Sequence, residues 1–320
     1  MKELTRQQEI ERSIITTFRT RIWAKFLDGV IHYSLVEDGD NIAVCVSGGK
    51  DSFLLAKLMQ ELKKHYTFHF NLHFISMDPG YSEANAAKIR ENAEILGVPL
   101  EIFHSNIFRV AERKGGDSPC YLCSRMRRGF LYARAKELGC NKIALGHNKS
   151  DVIETTLMGM FYGGQLQGML PKLHAQNFDN MTLIRPMYEV LEDDIVQWKE
   201  YNHLSFIACA CKKTAMLPEG VQGDSARQTM KSLVHAMRKE NPDVEASLFK
   251  ALHNVQIETF PAYNANGSLH FMEKFREEEL QTELRGTKLP VQDLSSPLET
   301  TDSATDTPTE PLEVNPGTDT

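Results

Sequence analysis

The sequence predicts an α/β protein built on a parallel sheet, and two observations carry that prediction. Short apolar runs at 42–46, 72–77, 100–103 and 142–146 alternate with stretches of 12 or more residues whose apolar positions recur at helical spacing. Strands separated by helices of that length run parallel, are covered on both faces and connect by right-handed crossovers. The second observation is the hexapeptide Ser47-Gly48-Gly49-Lys50-Asp51-Ser52. It lies between the first apolar run and a helical stretch with Leu54, Leu58 and Leu62 on one side, which reads as strand, glycine loop, helix.

The elements follow in order. Thr5 and Gln8 fit a capping box, and Ile10, Ile14, Phe18, Ile22, Phe26 and Val30 follow at four-residue steps. This pattern predicts one long amphipathic helix within residues 1–36. Arg12, Arg19, Arg21 and Lys25 lie off the stripe and read as a solvated face. After the turn signal Glu37-Asp38-Gly39-Asp40, residues 37–190 read as the α/β domain, with further helices over 83–96 and up to Gly139. Beyond Pro186 the pattern turns helical at 191–201, 226–238 and 244–253, predicting a C-terminal helical region over 191–287. Residues 288–320 are mostly Thr, Pro, Ser, Asp and Glu, and are expected to form a disordered acidic tail because they cannot bury enough apolar surface to offset ordering entropy. There is no internal repeat.

The chain holds 43 acids against 36 bases, a net charge of -7. Seven of those acids (Asp293, Glu299, Asp302, Asp306, Glu310, Glu313, Asp319) fall after residue 290, where there is no Lys or Arg, leaving 36 acids against 36 bases before them. Nucleic-acid binding draws its free energy largely from cations on phosphates. An acidic total would argue against such a partner, but here the excess is confined to the tail. At 41% hydrophobic the composition is globular, sufficient for one large or two modest cores. No apolar run approaches the ~18 residues of a membrane span, and the first residues lack the apolar core of a leader, so the expected location is cytoplasmic.

Residues 47–52 suit a phosphate. A strand leads into the loop and a helix leaves it, so backbone N–H groups converge where the helix dipole favours an anion. The loop lacks the spacing of a Walker A loop and the third glycine of the dinucleotide fingerprint. Lys50 can offset the charge of a bound phosphate, and Asp51 can hold magnesium. Ligands of such sheets bind beyond the carboxyl ends of the strands, which makes Asp78, Gly146 and His147 further candidates. Asp78 could meet adenosine and His147 the phosphates, or each could cap the helix behind it.

Six cysteines in a chain expected to be cytoplasmic do not suggest a disulfide framework. Cys45 lies in an apolar run and Cys140 just after a helix, and both read as structural. Cys120 and Cys123 form a Cys-x-x-Cys pair, and Cys209 and Cys211 a Cys-x-Cys pair. Four thiolates so spaced can bind zinc or an iron-sulfur cluster, and spacing alone does not choose.

The hexapeptide resembles the PP-loop signature of ATP pyrophosphatases. Further motifs narrow the resemblance: Cys120-Tyr-Leu-Cys-Ser-Arg-Met-Arg-Arg-Gly-Phe-Leu-Tyr132, Lys142-Ile-Ala-Leu-Gly-His-Asn-Lys-Ser-Asp151, Gly163-Gly-Gln-Leu-Gln-Gly-Met-Leu-Pro-Lys172, Ile184-Arg-Pro-Met-Tyr188 and Ala251-Leu-His-Asn-Val255. Together these resemble the TtcA-type tRNA 2-thiocytidine synthetases from about residue 15 to 256. The resemblance implies a Rossmann-like PP-loop fold that binds ATP through Ser47, Gly48, Gly49, Lys50, Asp51 and Ser52. It implies an enzyme that adenylates the C2 oxygen of cytidine 32 in tRNA and replaces it with sulfur.

It also implies a 4Fe-4S cluster on Cys120, Cys123 and a third cysteine. The family usually has Cys-x-x-Cys at the third position with its second cysteine as ligand, so Cys211 is favoured over Cys209. Magnesium falls to Asp51 and Asp151, with Glu154 available, because His147-Asn148-Lys149-Ser150-Asp151 stands where the family reads His-His-x-Asp-Asp. Together with the Cys-x-Cys spacing, that departure implies a divergent branch of the family. Arg125, Arg127 and Arg128 are candidates for tRNA phosphates, or for anchoring their helix to carboxylates. Lys231, Arg238 and Lys239 read as a solvated face. A sulfur donor such as a cysteine desulfurase, and a homodimer, are further expectations. The runner-up readings are a lysidine-synthase-type ligase with structural zinc, and thiolation of another tRNA pyrimidine.

Overall fold

A computed structural model describes residues 4–105, 107, 119–175, 178, 180–207, 226–265 and 268–272, with the backbone alone for 119–125. The predicted tail and Cys209 and Cys211 lie outside the described residues.

Strands β1 (Asn41–Cys45), β2 (Asn71–Asp78), β3 (Leu100–His104), β4 (Lys142–Ala144), β5 (Lys172–His174) and β6 (Thr182–Ile184) form one sheet in the order β3-β2-β1-β4-β6-β5. All neighbours run parallel except β5, which pairs antiparallel with β6 at the edge. Residue β1 alternation explains why its run is apolar throughout. Ile42, Val44 and Val46 enter one core and Ala43 and Cys45 the other, so both faces are buried. The chain winds outward from β1 to β3 and then returns to β4 on β1's other side. This places a topological switch point at the carboxyl ends of β1 and β4.

The N-terminal helix is not continuous. Thr5 makes the expected capping box for α1 (Arg6–Ile15), but a π-helix at Arg19–Trp23 precedes α2 (Ala24–His32). Residues four apart advance 40° beyond a full turn of an α-helix, so a four-residue stripe winds away from any one face. The wider turn, with Phe18 N–H bonded to the Ser13 carbonyl and Trp23 N–H to that of Phe18, takes up that drift. All six stripe residues are at most 2% exposed.

Helices α3 (Lys50–His65) and α4 (Glu83–Leu96) share the first core with α1 and α2, whereas α5 (Pro119–Glu137) covers the opposite face. A buried ion cluster ties α1 to α3. Lys57, fully buried, donates to Glu11 (2.6 Å), Gln60 (2.7 Å) and the Leu96 carbonyl (2.8 Å), and Lys64 reaches Glu11's other oxygen (2.9 Å). Next come α6 (Lys149–Gly163), α7 (Glu192–Tyr201), α8 (Ala226–Met237) and α9 (Val244–Ala251). Val152, Ile153, Leu157, Met230, Val234 and Phe249 join α6, α8 and α9 in a third core.

The strands and the C-terminal region also depart from the sequence expectations. The fourth run forms a strand only over Lys142–Ala144. β5 and β6, of three residues each, lay below the length at which alternation can be read. The region expected to be helical to 287 contains, beyond a contact break after His253, a hairpin of β7 (Ala262–Ala265) and β8 (Ser268–Phe271). Cys45 and Cys140 are buried and free, as expected.

Candidate active site

The glycine loop starts where the β1 ladder ends, with Val46 N–H bonded to the Ile75 carbonyl at 2.8 Å. Ser52 ties the loop to its helix: its Oγ accepts from Ser47 N–H (3.1 Å) and donates to the Gly49 carbonyl (2.9 Å). Gly48 has φ +92°, and a Cβ there would lie 2.6 Å from Ile207 Cδ1. Only glycine meets both the backbone angle and the space. Gly49 is the N-cap of α3 and supplies no side-chain acceptor, so no side-chain cap covers the N–H groups of the first turn.

Gly146 brings a second turn against this one. A Cβ on it would lie 3.1 Å from Ser52 N and 3.2 Å from Asp51 C, so the turn after β4 presses on the start of α3. Asn148 then caps α6. Its Oδ1 accepts from Asp151 N–H (3.2 Å), Asp151 Oδ2 accepts in return from Asn148 N–H (3.0 Å), and Asn148 Nδ2 donates to Asp51 Oδ1 (3.2 Å). The residue in the place of the family's second His therefore links the two carboxylates nearest the loop, Asp51 through its side-chain amide and Asp151 through its backbone N–H.

The charges here are imbalanced. Lys50 Nζ bonds Glu192 (2.9 Å) and Asp51 (3.1 Å), and Lys231 takes Glu192's other oxygen (2.6 Å). Arg227 donates to Asp151 (3.1 Å), Glu154 (3.1 Å) and Thr155 (3.2 Å). Burial nonetheless pushes Asp51 up; Lys50 opposes this and Asp151 and Glu192 reinforce it. Asp151 is raised by burial despite Asn148 N–H and Arg227, and Glu154 by burial despite Arg227. Glu192 goes the other way, because Lys231 and Lys50 outweigh its burial. Burial works against the charge of Lys50, but Asp51 and Glu192 more than offset it, and its pKa is raised. Glu154, Glu192, Lys231, Arg238 and Glu245 line an adjoining cleft of about 340 Å³.

The remaining candidates divide. Asp78, at the end of β2, accepts from Gly80 N–H (2.8 Å) and Tyr81 N–H (2.7 Å) and meets His104 (3.1 Å). It shapes its own loop, and α4 is capped by Ser82 instead. His147 lies near Arg185, Arg227 and Arg128; burial first, then these cations, depress its pKa to about 4, so the ring is neutral. Cys120 and Cys123 stand three apart in the first turn of α5, hence on one helix face. Arg127 and Arg128 make no ion pair or hydrogen bond among the described residues, whereas Arg134 farther along α5 pairs with Glu101 and Glu137. Lys231 and Arg238 are not a merely solvated face: Arg238 pairs with Asp193 and Glu245, and Lys231 with Glu192.

Sequence reading missed Glu192 and Arg227 and took Lys231 for a solvated face; all three come from helices far along the chain. Arg185 appeared only as part of a motif, although its place directly after a strand and before Pro186 was a usable signal.

A sequence profile of the PP-loop domain matches residues 19–213. The chain is 36% identical over 258 residues to the tRNA-cytidine(32) 2-sulfurtransferase of Aliivibrio fischeri, covering 80% of each protein. It is 39% identical over 226 residues to that of Syntrophotalea carbinolica, covering 70% of this chain and 85% of the relative. Among solved structures it is similar to the U34-tRNA thiolase NcsA from Methanococcus maripaludis, determined with its 4Fe-4S cluster. The TM-score is 0.57 at 21% identity, over 72% of this chain and 77% of that one; this likeness concerns the fold.

Proposed function

The chain belongs to the PP-loop family of tRNA-cytidine(32) 2-sulfurtransferases, and from that premise we propose that it is an ATP-dependent tRNA thiolase acting on a cytidine, position 32 of the anticodon loop. One observation carries the reading. Two partly buried carboxylates, Asp51 and Asp151, begin the helices on either side of the switch point, both pushed up by loss of solvent, beside the side-chain-uncapped N-terminus of α3. Oxygen donors so placed suit Mg²⁺ bound together with phosphates. Among the described residues no three potential ligands converge on a metal position by themselves, and Mg²⁺ is commonly held by one or two carboxylates with substrate phosphates completing its shell.

In this reading the loop N–H groups and Lys50 hold the β and γ phosphates. The cytidine C2 oxygen attacks the α-phosphorus, the bond to the bridging oxygen breaks, and pyrophosphate leaves with the electron pair, its charge met by Lys50. Sulfur then adds at C2 and AMP departs with the former carbonyl oxygen. Cys120, Cys123 and Cys211, with Cys209 as the alternative third ligand, would hold a 4Fe-4S cluster, their soft thiolates fitting iron. Bound there, the cluster would supply an iron lacking a protein ligand and able to take up sulfur from a donor such as a cysteine desulfurase. Arg125, Arg127 and Arg128 would meet phosphates of the anticodon loop.

Nucleoside mass spectrometry of tRNA from a strain lacking the protein tests this. The expected result is loss of 2-thiocytidine, restored by the wild-type chain but not by Cys120→Ala. Unchanged 2-thiocytidine would overturn the reading. Loss of a different thiolated pyrimidine would overturn the position while keeping the chemistry.

A further inference from the structure

Beside the glycine loop lies a group of cations that the loop's own chemistry does not use. Arg185 follows Ile184, the last residue of β6, and His147 stands three residues past Ala144, the last of β4. Ala144 and Ile184 are register partners, and one more bond follows, from Leu145 N–H to the Ile184 carbonyl at 3.0 Å. The two side chains thus start from the same carboxyl edge of neighbouring strands. Arg128 and Tyr132, one helical turn apart on α5, share a face. Because α5 leads into parallel β4, its N-terminal half lies at that same edge. Arg128 and Arg185 both act electrostatically on His147 and on Tyr132.

These groups are short of partners. Arg185 donates through Nη1 to the Leu170 carbonyl, but among the described residues its buried Nε has no acceptor, and the buried His147 Nδ1 likewise has no partner. Arg128 is exposed and makes no ion pair or hydrogen bond among the described residues. Arg227, the third guanidinium near His147, is occupied by Asp151, Glu154 and Thr155. Asp151 bears on Arg185 electrostatically, as do Tyr132, Tyr188 and Arg128. A half-buried guanidinium and a buried ring nitrogen without acceptors are unfavourable in isolation and are relieved by an anion.

We infer that His147, Arg185 and Arg128 form a second anion subsite, which holds the adenylyl phosphate and so takes Arg128 from the anticodon-loop phosphates, leaving those to Arg125 and Arg127. The inference rests on the thiolation reading and adds a place to it. The loop grips β and γ phosphates, so once pyrophosphate has left it holds no part of the adenylated base. That adenylate is a phosphodiester with one negative charge. A seat for it must adjoin the loop and face the acceptor. Gly146 presses the His147 turn against the start of α3, and Arg128 follows Cys123 by five residues, about one and a half turns of α5, so the group adjoins the loop and shares a helix with the cysteine pair.

The test is isothermal titration calorimetry of the full-length protein with AMP, pyrophosphate and an anticodon stem-loop RNA. Arg185→Gln and Arg128→Gln should each weaken AMP binding about tenfold or more, the scale of a charge-assisted hydrogen bond, and leave pyrophosphate affinity within about twofold. Arg185 is half-buried, so its variant is checked for folding by circular dichroism, and the exposed Arg128→Gln carries the test independently. Unchanged AMP affinity in a folded Arg128→Gln, with pyrophosphate still bound, overturns the subsite but keeps the loop reading. Wild-type protein that binds neither AMP nor pyrophosphate overturns both. Loss of RNA affinity with AMP unchanged overturns the adenylyl assignment and makes the ligand an RNA backbone phosphate.

Discussion

The molecule contains two charge clusters made from the same residue types, one centred on the fully buried Lys57 and one partly exposed beside the glycine loop, and they are balanced in opposite ways. Between α1 and α3, the Lys57 ammonium has three acceptors and Glu11 has donors on both oxygens. Burial would raise Glu11, yet Lys57, Gln7 and Lys64 hold it at about 2. Burial also draws Lys57 below its ordinary value; the carboxylate's shift is the one that sets the acid limit of the pair. Beside the glycine loop, Asp51, Asp151 and Glu154 are raised in spite of Lys50 and Arg227, and His147 Nδ1 and Arg185 Nε have no partners among the described residues. Where the fold needs only to hold two helices together, its charges are satisfied within the chain. Where a ligand is to be received, they are left in deficit, and such deficits concentrate at functional sites.

Breaking the balanced cluster should have the largest effect on stability. Glu11→Ala leaves Lys57 buried without its counter-ion and is expected to destabilise the fold by about 3–5 kcal/mol, read from urea denaturation. A change near zero would mean that water enters the cluster. The unbalanced cluster should respond in the opposite sense. Asp51→Asn is expected to lower tRNA-dependent pyrophosphate release by about 100-fold or more while leaving stability unchanged or higher by up to ~1 kcal/mol. Marked destabilisation would show that Asp51 belongs with the structural cluster.

The smallest effect separates the clusters by pH. His147 titrates in the folded protein at about 4 rather than at 6.5, so between those values the unfolded chain binds the extra proton. Stability is therefore lost as pH falls through that window, by about 2 kcal/mol after allowance for partial exposure. His147→Gln should flatten that slope. Glu11 acts lower: its contribution is complete above its ordinary value of 4.5 and is lost as pH falls towards 2. Thermal melts across pH 7 to 3 would distinguish the two, and an unaltered slope in His147→Gln would show that the ring is already charged in the folded state.

Much of this was legible in the chain because it is written in short spacings. The capping box of Thr5 and Gln8, the apolar stripe, and the passage from β1 through the loop into α3 each involve residues a few positions apart. The interruption of the stripe was implicit in its four-residue step but was read as one face. Glu192, Arg185, Arg227 and Lys231 could not be grouped in advance, because the sheet order and the packing of α8 on α6 bring them together, and burial of a charge leaves no periodic trace. The hairpin of β7 and β8 did carry a signal, since Asn266-Gly267 lies between its short strands.

The antiparallel strand β5 has a consequence for how these molecules behave in company. An open parallel sheet offers its outer strand as a template on which another chain can polymerise. Here that margin is three residues long, is preceded by Pro171, and carries Lys172, whose ammonium is held by the Ser34 carbonyl at 2.8 Å. Brevity, a proline and a cation are the features by which sheet edges resist stacking into aggregates. The sheet thus ends on that side in a strand poorly suited to extension by another molecule.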